Sequence, residues 1–158
     1  KIYLPRAIGV AEAPRHRAAQ GEYPRGSETI LLAEDQDAVS TIIVTTLRLC
    51  GYNVLSAPNG IDAITLCDKH DGPIHLLVTD VVMPAVGGRE VAERFCRSRP
   101  GAKTLFISGY TEHGFSGQML RDWRAAFLAK PFTPDALARK VRDVLDRDVL
   151  DGVGVPAS

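Results

Sequence analysis

The chain has 158 residues, of which 45% are hydrophobic and 24% are charged, and its formal net charge is +0. This composition is typical of a globular domain of about 100–150 residues with flanking segments, and it excludes a largely disordered chain. Residues 1–27 carry five Lys or Arg against two acids, whereas the remainder carries fourteen against seventeen. The globular part is therefore weakly acidic, and we predict that it binds no nucleic acid.

The sequence offers neither a disulfide framework nor a membrane segment. Cys50, Cys67 and Cys96 are too few and too scattered for a disulfide-rich fold or a CxxC metal site, so we predict buried thiols. No apolar run approaches the roughly 18 residues that a membrane span needs. We therefore predict a cytoplasmic location without direct membrane contact.

Residues 6–27 are rich in Ala, Arg, Gly and Pro and have neither strand nor helix periodicity. Such a composition is typical of a flexible linker. From residue 28 onward, short apolar runs alternate with amphipathic stretches. Each run has the length of a strand, and three are almost entirely apolar, as strands covered on both faces are. The predicted strands are residues 30–33, 52–55, 74–78, 103–107 and 126–129.

The stretches between these runs have helical periodicity. The clearest covers residues 39–50, where apolar side chains recur at i, i+3 and i+4 and Gly51 provides a stop. The last predicted helix starts with Thr133 as N-cap and Pro134 at its first position. Residues 112–124 give the weakest prediction, because glycines interrupt the pattern.

Strands that alternate with helices predict a parallel sheet with right-handed crossovers and helices on both faces. Five such units predict an α/β fold, a flavodoxin-like doubly wound (βα)5 domain whose five-stranded sheet has the order 2-1-3-4-5. Ligands of such sheets bind beyond the carboxyl ends of the strands, where the strand order reverses.

Polar residues follow four of the predicted strands. Glu34 and Asp35 come after the first, Asp80 after the third, Ser108 after the fourth and Lys130 after the fifth. Each of them alone is equally compatible with a helix cap or a solvated loop. Their coincidence at one edge of the sheet predicts a functional site.

Three carboxylates about 4 Å apart repel by roughly 4 kcal/mol per pair at an effective dielectric of 20. A cation must therefore lie among them, and hard oxygen ligands with free coordination positions favour Mg²⁺. Lys130 adds a second positive charge. A carboxylate nucleophile, a metal ion and fixed donors are what phosphoryl transfer needs.

Four strings of residues carry a family resemblance, and all of them include or adjoin the polar residues above. The strings are ILLAED at 30–35, LLVTDVVMP at 76–84 with Gly88 following, FISGY at 106–110 and KPF at 130–132. Together and in this order they resemble the signatures of response-regulator receiver domains, the phosphoacceptor domains of two-component phosphorelay signal transduction.

The resemblance implies a role for each acidic residue. Asp80 would be the nucleophile that accepts a phosphoryl group from phosphohistidine. Asp35 and Asp80 would bind Mg²⁺ directly together with the backbone carbonyl of Val82, and Glu34, which replaces a more common aspartate, would act through a bound water. Mn²⁺ is expected as a substitute ion.

The resemblance also implies roles for three further residues. Lys130 would pair with the phosphoryl oxygens, and the Lys130–Pro131 peptide bond is expected to be cis. Ser108 would hydrogen-bond the phosphorylated aspartate. Phe127 stands at the position of the aromatic switch, where tyrosine is frequent, so any signal that depends on a hydroxyl is absent.

The resemblance covers residues 28–147 and leaves residues 148–158 as a C-terminal tail. Residues 1–5, KIYLP, resemble the closing strand of the ATP-binding domain of histidine kinases. The combination implies the C-terminal receiver of a hybrid sensor histidine kinase, an ATP-dependent transferase whose parent chain can be membrane-anchored. The implied partners are a histidine kinase or a histidine phosphotransfer domain, and a homodimer stays open.

Alternative functions remain at this point. A stand-alone response regulator would share every site residue. An aspartate-nucleophile phosphatase usually has a second acid two residues after the nucleophile, where this chain has Val82. A pseudo-receiver would bind a partner without phosphorylation, and it predicts lost site residues. Whether a domain that phosphorylates and dephosphorylates only itself is an enzyme also stays open.

Overall fold

The computed structural model describes residues 23–109 and 115–154, with side chains up to residue 147. The predicted kinase remnant at residues 1–5 and most of the predicted linker lie outside the described residues. Strands and helices alternate along the chain, and their bounds are β1 Thr29–Ala33, α1 Asp37–Leu49, β2 Asn53–Ala57, α2 Gly60–Lys69, β3 Leu76–Asp80, α3 Gly88–Ser98, β4 Lys103–Ser108, α4 Gly117–Asp122, β5 Ala125–Ala129 and α5 Pro134–Gly154.

The five strands form one parallel sheet in the order β2-β1-β3-β4-β5. The predicted doubly wound fold and its strand order are therefore confirmed. Strand order reverses between β1 and β3, because the chain crosses from β2 over β1 to reach β3. The carboxyl ends of β1 and β3 lie side by side at this point.

Two apolar layers cover the sheet, because side chains alternate between its faces. One layer joins Ile30 and Leu32 of β1 to the inner residues of α1 and α5, including Ile43 and Val141. The other joins Leu31 of β1 to residues of α2, α3 and α4. Each central strand is thus buried on both faces, which explains the near-continuous apolar runs of the sequence.

Three strands extend further toward their carboxyl ends than their apolar runs predict. β2 continues to Ala57, β3 to Asp80 and β4 to Ser108. The polar residues Thr79 and Asp80 remain in the sheet because they pair with β1 and β4: Thr79 lies opposite both Ala33 and Phe106. Backbone pairing, which hydropathy does not report, sets these strand ends.

The predicted start of the last helix is confirmed. The Thr133 hydroxyl accepts a hydrogen bond from the Ala136 backbone N–H at 3.0 Å, and Pro134 is the first residue of α5. In the weakly predicted stretch, α4 is a short helix that the Ser116 hydroxyl caps by accepting from the Met119 N–H at 3.1 Å.

The described chain extends past both predicted ends of the domain. α5 continues to Gly154, into the predicted tail of residues 148–158. At the other end, Tyr23 packs against the first apolar layer, and the Gly26 N–H donates to the Cys50 carbonyl at 3.0 Å. Residues 23–27 of the predicted linker therefore lie against the domain. The division of the remaining flanks stays a prediction.

The three thiols are free. Cys50 and Cys67 are buried as predicted, whereas Cys96 is only partly buried. Among the residues that the structure describes, no helix has the length and apolar character that crossing a bilayer requires.

Arg142 of α5 joins the N-terminal segment to the domain. Its guanidinium donates to both carboxylate oxygens of Glu28, at 3.2 and 2.7 Å, and to the backbone carbonyl of Arg25 at 3.2 Å. It also donates to the Tyr52 hydroxyl at 3.2 Å and to Asp146 at 2.9 Å. The hydrogen bond from Arg142 lowers the pKa of Glu28 despite its partial burial.

We expect Glu28→Gln to lower the free energy of unfolding at pH 7 by about 1 kcal/mol, because a partly buried, charge-assisted bidentate pair is lost. Since folding lowers the pKa of Glu28, this stability is present above the ordinary carboxyl pKa of about 4.3 and is lost as the pH falls through the lowered value. Urea unfolding at pH 7 and below pH 4 checks both parts.

Asp143→Asn is the matched control, since it removes an exposed ion pair on the same helix, in which the Arg147 and Asp143 side-chain atoms are 3.6 Å apart. It should cost no more than about 0.5 kcal/mol. Equal losses in the two variants, or a Glu28→Gln loss that persists in acid, would contradict the expected role of the Glu28–Arg142 pair.

Candidate phosphoacceptor site

Four strand ends deliver the predicted site residues to the carboxyl edge of the sheet. Glu34 directly follows β1, Asp80 ends β3, Ser108 ends β4 and Lys130 directly follows β5. Neighbouring strands hold them there, because the backbone N–H of Lys130 donates to the carbonyl of Ser108 at 2.9 Å. The expected cis bond between Lys130 and Pro131 is present.

Asp80 lies at the centre of the site and is only 9% exposed. Its Oδ2 accepts a hydrogen bond from the ammonium group of Lys130 at 2.9 Å, and its Oδ1 accepts one from the backbone N–H of Val82 at 3.2 Å. Both carboxylate oxygens are thus oriented by donors. These two donors therefore hold the Asp80 side chain in a defined direction.

Glu34 is more deeply buried, at 2% exposure. Its Oε1 accepts a hydrogen bond from the Gln36 backbone N–H at 3.0 Å. Its Oε2 lies 3.5 Å from the Lys130 ammonium and has no hydrogen-bond partner among the described residues. Burial raises the pKa of Glu34, and the Gln36 hydrogen bond and the Lys130 charge offset this only in part.

Two opposing effects act on the pKa of Lys130. Burial alone would lower the pKa of Lys130, but the hydrogen bond to Asp80 and the charges of Asp80 and Glu34 outweigh it, so the pKa is raised. Lys130 therefore carries its positive charge throughout the physiological range. It is the cation that the structure itself supplies to the site.

The carboxylates fit a divalent cation. One oxygen from each of Glu34, Asp35 and Asp80 lies within 4.8 Å of the other two, and one of these residues has the unpartnered buried oxygen described above. Lys130 contacts Asp80 and Glu34, so within residues 23–109 and 115–147 one ammonium group is paired with two of the three carboxylates. Hard oxygen donors of this kind, with Asp35 exposed to water, suit Mg²⁺.

The connection from β3 to α3 returns closely to Asp80. The Gly88 N–H donates to the carbonyl of Val81 at 2.9 Å, and a Cβ atom at Gly88 would collide with the carbonyl oxygen of Asp80. Between them, Ala85 has a φ of 67°, a left-handed conformation that costs a residue with a Cβ roughly 1–2 kcal/mol. The loop is thus held tightly at both ends.

The proposed switch residues lie in and beside an aromatic cluster. Ser108 is 3% exposed. Phe127 is partly buried and stacks on Phe106 with ring centroids 5.4 Å apart, and Phe115 meets it edge-on at 5.4 Å. Trp123 packs against Phe106 at 6.3 Å. Tyr110, the last residue of the FISGY string, lies outside the described residues.

Three hydrogen-bond donors of the site were not identified from the sequence. The Thr79 hydroxyl donates to the Asp80 carbonyl at 2.9 Å, and the backbone N–H groups of Gln36 and Val82 bond to carboxylates. A polar residue in the apolar strand β3 is a signal that could have identified Thr79. Backbone donors leave no such signal, because every non-proline residue has one.

The fold and the site define a class of protein: a response-regulator receiver domain. A family model described as the response regulator receiver domain matches residues 30–142, and the chain belongs to that family. As such it is a receiver domain of two-component phosphorelay signal transduction, a family that binds Mg²⁺ at an acidic pocket and interacts with histidine kinases or phosphotransfer partners.

Individual relatives are similar over different extents. The sensor kinase CckA of Brucella abortus (strain 2308) is 34% identical over an alignment of 154 positions, which covers 93% of this chain and 16% of the kinase. The response regulator receiver protein CpdR of the same organism is 33% identical over 116 residues, covering 73% of this chain and 95% of CpdR. The chain therefore spans only a small part of its kinase relative.

A solved structure also matches. The crystal structure of the receiver domain from the hybrid histidine kinase CckA superposes with a TM-score of 0.63 at 35% sequence identity, covering 74% of this chain and 98% of that domain.

We expect Glu34→Gln to stabilise the metal-free protein by about 1–2 kcal/mol, because Glu34 is 2% exposed and its Oε2 has no hydrogen-bond partner among the described residues. A charged carboxylate is unfavourable in such a buried place, which agrees with the raised pKa of Glu34. In EDTA, urea unfolding should give a larger free energy for the variant than for the wild type. In Mg²⁺ the difference in unfolding free energy between the variant and the wild type should shrink or change sign, because the metal stabilises only a protein that binds it.

Asp35→Asn is the comparison variant: the Asp35 side chain is exposed, so water screens its charge, and its removal should raise the metal-free stability less than Glu34→Gln does. A Glu34→Gln variant that is less stable than the wild type in EDTA would contradict the unfavourable charge of Glu34. If Mg²⁺ stabilised the variant as strongly as it stabilises the wild type, Glu34 would have no part in holding a cation.

Proposed function

We propose that Asp80 accepts a phosphoryl group from a phosphohistidine donor in a Mg²⁺-dependent reaction, as part of a phosphorelay. One observation carries the proposal: a largely buried Asp80 carboxylate lies 2.9 Å from Lys130, within a cluster of three carboxylates. A receiver that had lost phosphorylation would not be expected to keep so costly a cluster. The sequence also disfavours the phosphatase alternative, because position 82, where such an enzyme usually has its second acid, is Val82.

The residues of the chain perform the transfer in defined roles. An Asp80 oxygen attacks phosphorus, the P–N bond to the donor imidazole breaks, and the imidazole leaves with the bonding electron pair. Lys130, already in contact with Oδ2, pairs with the phosphoryl oxygens and offsets their charge. Bound Mg²⁺, held by Asp35, Asp80 and the Val82 carbonyl with Glu34 acting through water, would supply further charge neutralisation, and Mn²⁺ would substitute.

Ser108 and Phe127 would report the modification. A phosphoryl group adds a charge of about −1.5 to −2 and new acceptor oxygens, which the Ser108 hydroxyl can approach from the end of β4. Phe127 lies in β5 opposite Phe106, so a movement near Ser108 reaches its ring through adjacent strands. The pair thus forms a two-state element that the phosphoryl group biases.

We further propose that the chain comes from the C-terminal receiver of a hybrid histidine kinase. The match to the Brucella kinase includes 93% of this chain, so it must include much of residues 1–29 as well as the receiver. CpdR matches only 73% of the chain. This difference favours a kinase origin over a stand-alone regulator. A cytoplasmic location fits the free thiols, and a homodimer stays open.

The exposed face of α1 is the docking surface that we propose for the phosphohistidine donor. Ile42 and Leu49 are 46% and 51% exposed and lie two helical turns apart, and α1 has no charged residue between Asp37 and Arg48. The helix begins beside Asp35, so a partner on this face lies next to Asp80. An uncharged, half-apolar helix face suits a helical phosphohistidine domain that packs alongside it.

Incubation with acetyl phosphate and Mg²⁺ should add one phosphoryl group, about 80 Da by intact mass. Asp80→Asn and EDTA should each abolish the gain, because the first removes the nucleophile and the second the cation. A gain that survives in Asp80→Asn would place the acceptor elsewhere. The absence of any gain, also with a phosphorylated histidine phosphotransfer domain as donor, would favour the pseudo-receiver.

Ile42→Asp should slow transfer from a phosphorylated histidine donor about tenfold or more, because it places a charge in the apolar contact, and leave the acetyl phosphate rate within about twofold. Ile61→Asp is the control: Ile61 is 54% exposed but lies on α2, which packs on the opposite face of the sheet. If both variants slowed the protein donor equally, α1 would not be the specific docking surface.

A further inference from the structure

Thr79 is a fully buried polar residue in the strand that carries the phosphoacceptor. Its exposed fraction is 0%, and because side chains alternate along a strand, it points to the face opposite Asp80. Its hydroxyl donates a hydrogen bond to the backbone carbonyl of Asp80 at 2.9 Å. Thr79 therefore contacts the main chain of the phosphoacceptor without touching its carboxylate.

Gly88 meets the same carbonyl from the next helix. A Cβ atom at Gly88 would collide with the Asp80 carbonyl oxygen and would lie 3.1 Å from the Thr79 hydroxyl oxygen. The Thr79 side chain, the Asp80 carbonyl and the start of α3 are thus in mutual contact. This contact holds the Asp80–Val81 peptide group from the side of the sheet that α3 covers.

The orientation of the Asp80–Val81 peptide group affects the two groups that the proposed reaction uses, the Asp80 carboxylate and the Val82 backbone. Asp80 lies on one side of this peptide, and the chain on its other side leads to Val82, whose N–H donates to Asp80 Oδ1 at 3.2 Å. The Val81 carbonyl is held by Gly88. A rotation of the Asp80–Val81 peptide would therefore displace both the carboxylate and the Val82 backbone.

We propose that Thr79 is a positioning residue for the phosphoacceptor site: its buried hydroxyl fixes the Asp80 carbonyl and so sets the geometry in which Asp80 and the Val82 backbone hold the cation. The proposal rests on the proposed function above. A residue that only filled space between the sheet and α3 would tolerate loss of the hydroxyl, whereas a positioning residue would not.

Three substitutions test the hydroxyl separately from its surroundings. Thr79→Val removes the hydroxyl and keeps the shape, and Thr79→Ser keeps the hydroxyl and removes a methyl group. Thr104→Val is the matched control, because Thr104 is equally buried, at 0% exposure, in the neighbouring strand β4. Thr104 lies opposite Leu77 rather than at the strand ends that carry the site.

For each variant, the Mg²⁺ dissociation constant is measured by calorimetry and the rate of phosphorylation by acetyl phosphate is measured against Mg²⁺ concentration. Thr79→Val should raise the dissociation constant and the half-saturating concentration about fivefold, the factor that corresponds to one net hydrogen bond. Thr79→Ser should stay within about twofold of the wild type, and Thr104→Val should leave both values unchanged.

The proposal is overturned if Thr79→Val binds Mg²⁺ as the wild type does, or if Thr79→Ser is impaired as strongly as Thr79→Val. Should Thr79→Val not fold, Thr79→Cys against Thr79→Ser replaces it, because a thiol of similar size is a weak donor. Phosphorylation of the wild type tests the proposed function alone, and Mg²⁺ binding tests Thr79 even where no phosphorylation occurs.

Discussion

The crowding of three carboxylates at the carboxyl edge of the sheet, two of them paired with Lys130, is the constraint on which the rest of this structure depends. Glu34 and Asp80 are held beside one ammonium group in a largely buried place, and burial disfavours the charge on Glu34. No short segment of chain could hold these groups together against their repulsion. Two apolar layers that bury both faces of the sheet supply the stability that offsets this repulsion. The strand order β2-β1-β3 places the acidic ends of β1 and β3 next to each other.

The path of the chain after Asp80 is the second requirement of the site. The chain must turn away from the sheet and still return to it at once, so Gly88 packs directly on the Asp80 carbonyl and Ala85 adopts a left-handed conformation. The strain is tolerated because α3 is anchored in the core through Val91 and Phe95. Helix packing thereby fixes the loop that carries Val82.

The carboxyl and amino edges of the sheet carry different features. The carboxyl edge holds Asp80, the proposed phosphoacceptor, with α1 on one side and the Phe106, Phe115 and Phe127 cluster on the other. The amino edge receives the preceding chain, where Arg142 binds Glu28 and the Arg25 carbonyl. The proposed upstream kinase domain would therefore connect at the amino edge, away from Asp80, and a partner would reach Asp80 without displacing that connection.

The sequence by itself determined the fold class, the strand order and the residues Glu34, Asp35, Asp80, Ser108 and Lys130, because alternating periodicity predicts a doubly wound sheet and such sheets place strand ends together. The helix start at Thr133 was likewise evident from local capping chemistry. Only the tertiary structure decided where β3 ends, that residues 23–27 lie on the domain and that Thr79 holds the Asp80 carbonyl. These features depend on backbone pairing and on contacts between residues distant in the chain, and neither has a local signature in hydropathy or spacing.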